Sequence, residues 1–267
     1  MKPWILAAWI AVGLCPTAQA DDALKAAIAG THRTPAYVAR DGWRHPLETL
    51  SFMGIQPNMT VVEISPGGGW YTEILAPYLR DKGQLILAAD DPASDQAYAK
   101  RSAERLRKKL DAQPAVYDKV KLGVIAPPQQ LKYAPAGSVD MVLTFRNVHN
   151  WAADGEAVSR AVFQSMYDTL KPGGVLGVVD HRLPADRAED PKFESGYVHT
   201  AYVQRMAQSV GFKLAATSEV NANPKDTANH PGGVWTLPPT YGKKDLDRAR
   251  YEAIGESDRM TLKFVKP

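Results

Sequence analysis

The feature that most constrains this chain is the run VVEISPGGGWYT at residues 61–72. β-Branched residues lead into a proline-glycine turn, and the turn leads into a stretch with Ile74, Leu75 and Leu79 at helical spacing. Strand, glycine turn, helix is the opening unit of a parallel α/β sheet, because parallel neighbours are reached through a crossover of this kind. Glycine in the turn lets backbone approach a ligand closely and accepts positive φ.

The alternation then continues without sequence-level repeats. A second apolar strand over 84–89 ends at Asp90 and Asp91, a charged helix follows over 94–110, and a third strand is expected over 120–125 before Pro127 and Pro128 stop it. A turn at 135–138 introduces a fourth strand over 139–145. An amphipathic helix over 157–170, a KPGG turn and a fifth strand over 175–179 come next. Beyond these the pattern predicts a helix over 197–210, a sixth strand over 213–220, a helix over 243–254 and a last strand over 260–265. Residues 21–58 read as a helical lid or brace in front of one domain over 59–267. No low-complexity linker divides them.

The first twenty residues differ in kind. Lys2 gives a positive start, residues 4–14 are apolar, and Ala18-Gln19-Ala20 makes a small-residue exit, the pattern of a secretory signal peptide cut before Asp21. The apolar run is shorter than the roughly 20 residues that span a bilayer, so no stable membrane span is expected after cleavage. Cleavage would remove Cys15, the only cysteine, leaving no thiol for disulfides, nucleophilic catalysis or metal binding. The expected address is a bacterial periplasm. A net charge of +3, with the basic run at 101–109 reading as one solvated helix face, gives no nucleic-acid footprint. A small molecule is the expected partner.

In open parallel sheets ligands bind beyond the carboxyl ends of the strands, where the strand order reverses. The residues that follow the apolar runs are therefore the candidates. Glu63 stands at the entry to the glycine turn, and Asp90 carries two acceptor oxygens that suit a pair of ribose hydroxyls. A dinucleotide loop would have glycine three places after Gly69. This chain has Thr72 there, which weighs against NAD.

With these motifs in order, the segment VVEISPGGG resembles the first motif of class I S-adenosylmethionine (SAM)-dependent methyltransferases, an acid followed by G-x-G-x-G. Gly67 and Gly69 match, while Ser65 stands in place of the first glycine. Asp90, with Asp91 as the neighbouring alternative, resembles the ribose-binding acid. PAGSVDMVLTFRNVHNW and LKPGGVLGVVDHR resemble the fourth and fifth strand regions, and SDRMTLKFVKP resembles the antiparallel seventh strand. RDGWRHPLETL, PGGGWYTEILAPYL and the C-terminal segment further resemble a group of exported bacterial predicted methyltransferases.

The resemblance implies a Rossmann-like three-layer sandwich with a seven-stranded, mostly parallel sheet. It implies SAM as cofactor, held by Glu63, Ser65, Gly67, Gly69, Trp70 and Asp90, with Arg146 and Asn147 facing its methionine part or the acceptor. Tyr71, Asn150, Trp151 and Tyr197 are candidate acceptor walls. His149 and the pair Asp180-His181, at the ends of strands four and five, are candidates for proton removal, since an imidazole titrates near neutrality. Hydrogen bonding to loop backbone is the plainer role for each histidine. His45 would brace the N-terminal segment or close over the site.

Two alternatives stand beside the enzyme. An exported domain could keep a SAM-like pocket without turnover, because SAM is not expected to be made outside the cytoplasm; delivery of the donor or an uncleaved tether would resolve the same tension. A metal site built on His149, His181, His199 and Asp180 has suitable donors but lacks close HxH or HxxxH spacing, and no metal ligand is assigned.

Overall fold

A computed structural model of the protein describes residues 16–267. The expected leader lies outside the described residues for its first fifteen positions. Helix α1 (Pro16–Ile28) runs through the expected boundary at Ala20. Three short helices follow, α2 (Pro35–Val38), α3 (Asp41–Arg44) and α4 (Pro46–Met53), separated where Pro35, left-handed His45 and Pro46 interrupt regular backbone.

The seven strands are β1 (Thr60–Ile64), β2 (Gln84–Ala89), β3 (Lys121–Val124), β4 (Val139–Phe145), β5 (Leu170–His181), β6 (Lys213–Ser218) and β7 (Arg259–Val265). Helices α5 (Thr72–Leu79), α6 (Ala97–Ala112), α7 (Pro114–Tyr117), α8 (Val148–Ala153), α9 (Glu156–Thr169), α10 (Thr200–Ser209) and α11 (Arg248–Ile254) complete the fold. The sheet order is β3-β2-β1-β4-β5-β7-β6. All pairs are parallel except those of β7, which runs antiparallel between β5 and β6. The expected seven-stranded α/β sandwich is therefore what the chain forms.

Alternate strand residues feed two separate cores, as the period of two in a strand requires. Val62, Ile64, Ile86, Ala88 and Val178 pack with Val162, Phe163 and Met206 on one face. Val61, Leu85, Leu87, Met141 and Leu143 pack with Ile74, Leu75, Leu106, Leu24 and Leu50 on the other. Leu24, Leu50 and Met53 are buried, so the N-terminal segment completes the second core.

Several expected boundaries moved for local reasons. The KPGG turn lies inside β5, because Gly173 N–H donates to Lys266 O and Lys266 N–H donates to Gly174 O, extending the pairing with the C-terminal segment. The helix expected from residue 197 begins at Thr200, since Val198 bridges Arg182 and the Tyr197 hydroxyl is drawn to Asp226 at 2.9 Å. Helix α11 begins at Arg248 because Lys244 and Asp247 take left-handed backbone before it.

The order reverses between β1 and β4, on either side of which the chain leaves in opposite directions. Ile64 pairs with Ala88 and Thr144, and Phe145 with Val179. That register brings the glycine loop, Asp90, Arg146-Asn147 and Asp180-His181 to one edge of the sheet.

Candidate active site

The glycine loop is built on left-handed backbone: Ser65 at φ 48°, Gly67 at 56° and Gly69 at 78°. Ser65 N–H donates to Ala88 O at 2.8 Å, extending the β1–β2 ladder by one bond before the chain turns. A Cβ on Gly67 would meet nothing within 4 Å, whereas one on Gly68 would fall 2.4 Å from the Tyr37 hydroxyl. Gly67 thus presents open backbone, and Gly68 is closed by the N-terminal segment. Tyr37 Oη donates to Gly68 O at 2.9 Å, and Trp70 Nε1 donates to Tyr37 O at 3.0 Å. Glu73 anchors that segment, accepting from Thr34 N and Thr34 Oγ1 and from Lys109 Nζ.

Glu63 is buried beneath the loop, where Thr72 Oγ1 donates to it at 2.6 Å. Burial pushes its carboxyl up to about 7, with the Thr72 bond and Lys109 pulling the other way. It ties β1 to the start of α5 and does not reach the cavity beside the loop.

That cavity, of about 270 Å³, opens between the loop, α3, the segment after β4 and the short 3₁₀ turn (Gly233–Thr236) that carries Trp235. Of the expected cofactor residues, Ser65, Gly67, Trp70, Arg146 and Asn147 line it. So do His149, His181 and Asn150. Asn147 also pins the sheet edge, its Nδ2 donating to Ile64 O at 3.0 Å and Thr144 Oγ1 at 3.1 Å. Asp90 is half-buried beside the loop and lines a second cavity of about 220 Å³ with Gly123 and Val124 of β3 and residues of α6.

Asp180 is fully buried and holds the histidines in place. Its Oδ2 accepts Val148 N–H at 2.6 Å, and its Oδ1 accepts His149 Nδ1 at 2.9 Å and His181 N–H at 2.7 Å. A carboxylate accepting at Nδ1 places the His149 proton there and leaves Nε2 as a lone pair. His149 Nε2 is buried and has no hydrogen-bond partner among the described residues. His181 lies 5.2 Å away ring to ring, its Nδ1 bonded to Ser257 Oγ at 2.5 Å. Burial above all, and then His149 and the nearby arginines, push the His181 pKa well below its ordinary value, so this ring stays neutral. Trp235, 5.6 Å from His149, closes the side of the cavity.

The remaining wall is cationic. Arg40, Arg44 and Arg146 line it, and one carboxylate serves the group: Glu256 accepts Arg40 Nε at 2.6 Å, Arg44 Nε at 3.0 Å and Arg259 Nη1 at 3.1 Å. The Arg44 guanidinium lies 4.8 Å from the Trp70 ring centre. Burial alone would raise Glu256, but Arg44, Arg259, Arg40 and Arg146 outweigh it and hold the carboxyl at about 2.

Three expected acceptor walls lie elsewhere. Tyr71 stacks on Phe145 at 3.5 Å in the second core, Trp151 packs edge-on against Phe163 in the first, and Tyr197 Oη donates to Asp226. All three are spent on packing, the ordinary use of a buried aromatic. Gly69 also falls outside the wall, facing Lys109 and Thr72. His45 sits half-buried between α3 and α4, bracing their junction with its left-handed backbone.

Of the conceivable metal donors, His149, Asp180 and His181 lie within 4.8 Å of one another, but His199 is turned away to Arg187 O. Both oxygens of Asp180 already accept protein N–H groups, which suits positioning of histidine better than ligation. A larger hollow of about 720 Å³ is lined by Arg182, His199 and Asp258. Arg182 there is already paired with Asp258 and Glu219, so the hollow offers packed charge where the smaller cavity offers open donors and acceptors.

Sequence reasoning passed over Arg40, Arg44, Arg259, Glu256 and Trp235. Arg40 and Arg44 stand four apart in RDGWR, the spacing that puts two side chains on one helical face, and Glu256 and Arg259 sit three apart in ESDR. Nothing in the local pattern marks Trp235.

Among solved structures, the chain is similar to a SAM-dependent methyltransferase from Aquifex aeolicus, at a TM-score of 0.58 and 14% identity over 92% of this chain and 98% of that one. The fold is that of the class I SAM-dependent methyltransferases. The glycopeptide N-methyltransferase MtfA, solved with sinefungin, shares this methyltransferase fold with the chain at a TM-score of 0.53 and 14% identity, covering 85% and 94%. The [4+2]-cyclase SpnF is similar to it as well, at a TM-score of 0.53 and 14% identity over 84% and 80%. No protein-family model and no curated protein matches the chain. The same fold carries more than one chemistry among the chain's structural neighbours.

Proposed function

We propose that the chain is a SAM-dependent methyltransferase acting on a small-molecule acceptor. The observation that carries this reading is the meeting, in one cavity, of the open Gly67 backbone with the unpartnered Nε2 of His149. Gly67 fits a cofactor cradle because its positive φ and empty Cβ position admit close contact with a ligand. Asp90, just past the end of β2, has the two acceptor oxygens that ribose hydroxyls would donate to. Glu63 does not fit the ligand-orienting role, and its service is to hold the loop from below.

When bound, SAM would supply a methyl group on a sulfonium, whose C–S electron pair leaves with the sulfur. The chain's own residues do the rest. Ser65, Gly67 and Trp70 shape one wall, and Trp235 borders the cavity beside His149. His149 Nε2 takes the proton of the acceptor's nucleophilic atom, and Asp180, bonded at Nδ1, stabilises the imidazolium that results. His181 stays neutral beside it and adds no further positive charge to a cavity already lined by three arginines. A free lone pair held by a buried carboxylate favours turnover over mere ligand storage.

Isothermal titration of the purified protein with SAM and with S-adenosylhomocysteine tests the reading, and absence of binding to both would overturn it. Residues 1–20 we read as a leader that places the protein in a bacterial periplasm, among exported predicted methyltransferases. N-terminal sequencing of the fractionated protein checks this: a chain starting at Asp21 supports export, and one starting at Met1 refutes it.

A further inference from the structure

The arginine cluster is more than the proposed chemistry requires. Glu256 engages Arg40 and Arg44 through their Nε atoms. That choice leaves the terminal forks facing elsewhere: Arg44 Nη1 and Nη2 and Arg40 Nη2 are all buried without a hydrogen-bond partner among the described residues. Arg44 is 1% exposed and lines the cavity. Arg146 lines it too, is not among the hydrogen-bond partners of Glu256, and is held at φ 64° by its N–H bond to Val179 O at 2.7 Å. A non-glycine residue kept in the left-handed region is a local cost that tends to persist where function repays it.

Three cations therefore line one space, and among the described residues the carboxylate bonded to two of them, Glu256, is shared with Arg259 and is not part of the cavity lining. Buried charged donors without partners are costly, because each gives up its hydration for nothing in return. A planar fork with two parallel N–H groups matches the oxygens of a carboxylate or phosphate. Trp70, against the Arg44 guanidinium, fixes the direction of that fork.

We infer that Arg40, Arg44 and Arg146 form an oxyanion-binding site that takes a carboxylate or phosphate carried by the acceptor. This rests on the methyltransferase reading for the word acceptor and on the cavity alone for the anion. The acceptor is then an acid bound by its charged end, with its nucleophilic atom turned toward His149. Substrate selection follows from the same geometry: amines and neutral alcohols without an acidic group leave the forks unpaired and are rejected, as a site built to bond a missing group rejects the analogue that lacks it.

The test is titration of the full protein with inorganic phosphate, alone and with saturating S-adenosylhomocysteine, and with choline chloride as the control. Phosphate is expected to bind in both cases and choline in neither. Arg44 is buried against Glu256, so its variants also probe folding. Arg146→Gln, at a half-buried position with no bond to Glu256, is the decisive variant and is expected to weaken phosphate binding at least tenfold while the circular dichroism spectrum is kept. No phosphate binding by the wild type, or unchanged binding by R146Q, overturns the site. Loss of phosphate binding when S-adenosylhomocysteine is present overturns its assignment to the acceptor, because the forks would then be holding the donor's own carboxylate. Phosphate binding by a protein that binds neither adenosyl compound supports the oxyanion site and sinks the methyltransferase reading alone.

Discussion

Replacing Glu256 by glutamine removes one negative charge from the centre of four arginines while keeping the shape of the side chain. In the folded protein this carboxyl is held at about 2, against 4.5 for a free glutamate. At about 1.4 kcal/mol for each tenfold, that preference for the charged form is worth about 3 kcal/mol. Loss of one partner from a buried ionic network typically costs 3–5 kcal/mol, because the remaining charges stay buried and uncompensated. E256Q is therefore expected to lose about 3–5 kcal/mol at pH 7, read by urea denaturation, with a fall in Tm of roughly 6–20 °C for a chain of this size. The sign of the pH dependence follows from the depressed carboxyl. Its contribution is present above the unfolded value near 4.5 and is lost as pH falls toward 2, so the gap between wild type and E256Q should narrow over that range. A gap below about 1 kcal/mol at pH 7, or one that stays constant on acidification, would refute the claim that Glu256 holds the cluster together.

Glu63 should behave in the opposite way. Its carboxyl is raised to about 7, so the stability it adds is full below 4.5 and is lost as pH rises through 7; the stability of E63Q should be flatter over that window in a pH series of urea melts. His149→Gln should lower kcat about 10²- to 10⁴-fold with SAM affinity unchanged, measured by turnover and titration; equal kcat would remove the residue from proton transfer. Asp90→Ala should weaken SAM binding in calorimetry, and unchanged affinity would detach Asp90 from the cofactor.

The order of elements was legible because it is written in periodicity. Residues 84–89 and 139–145 are apolar runs whose ends match β2 and β4, and the glycine run before Trp70 could only be a turn. Boundaries were lost where a distant partner decides them. Gly173 and Gly174 look like a turn in isolation and become strand only through Lys266, and Tyr197 leaves its helix for Asp226. The site divides in the same way. Gly67, Arg146, His149 and His181 could be placed because each lies at or just past a strand end, and strand ends meet at one edge. Tyr71 and Trp151 also follow or adjoin such ends, but periodicity does not say which face of a short segment turns to the core. Arg40 and Glu256 could not be paired from sequence at all, since charge pairs far apart along the chain leave no local trace.

Arg40 and Glu256 lie 216 positions apart, and their contact spans nearly the whole described chain. During synthesis Arg40 and Arg44 exist long before their counter-ion does. The glycine loop and the pairing of β1 with β2 and β4 use residues up to 145, whereas the counter-ion of the cationic wall comes with residues 256–259, next to β7 between β5 and β6. The cationic wall thus needs segments from near both ends of the described chain before its buried charges are balanced.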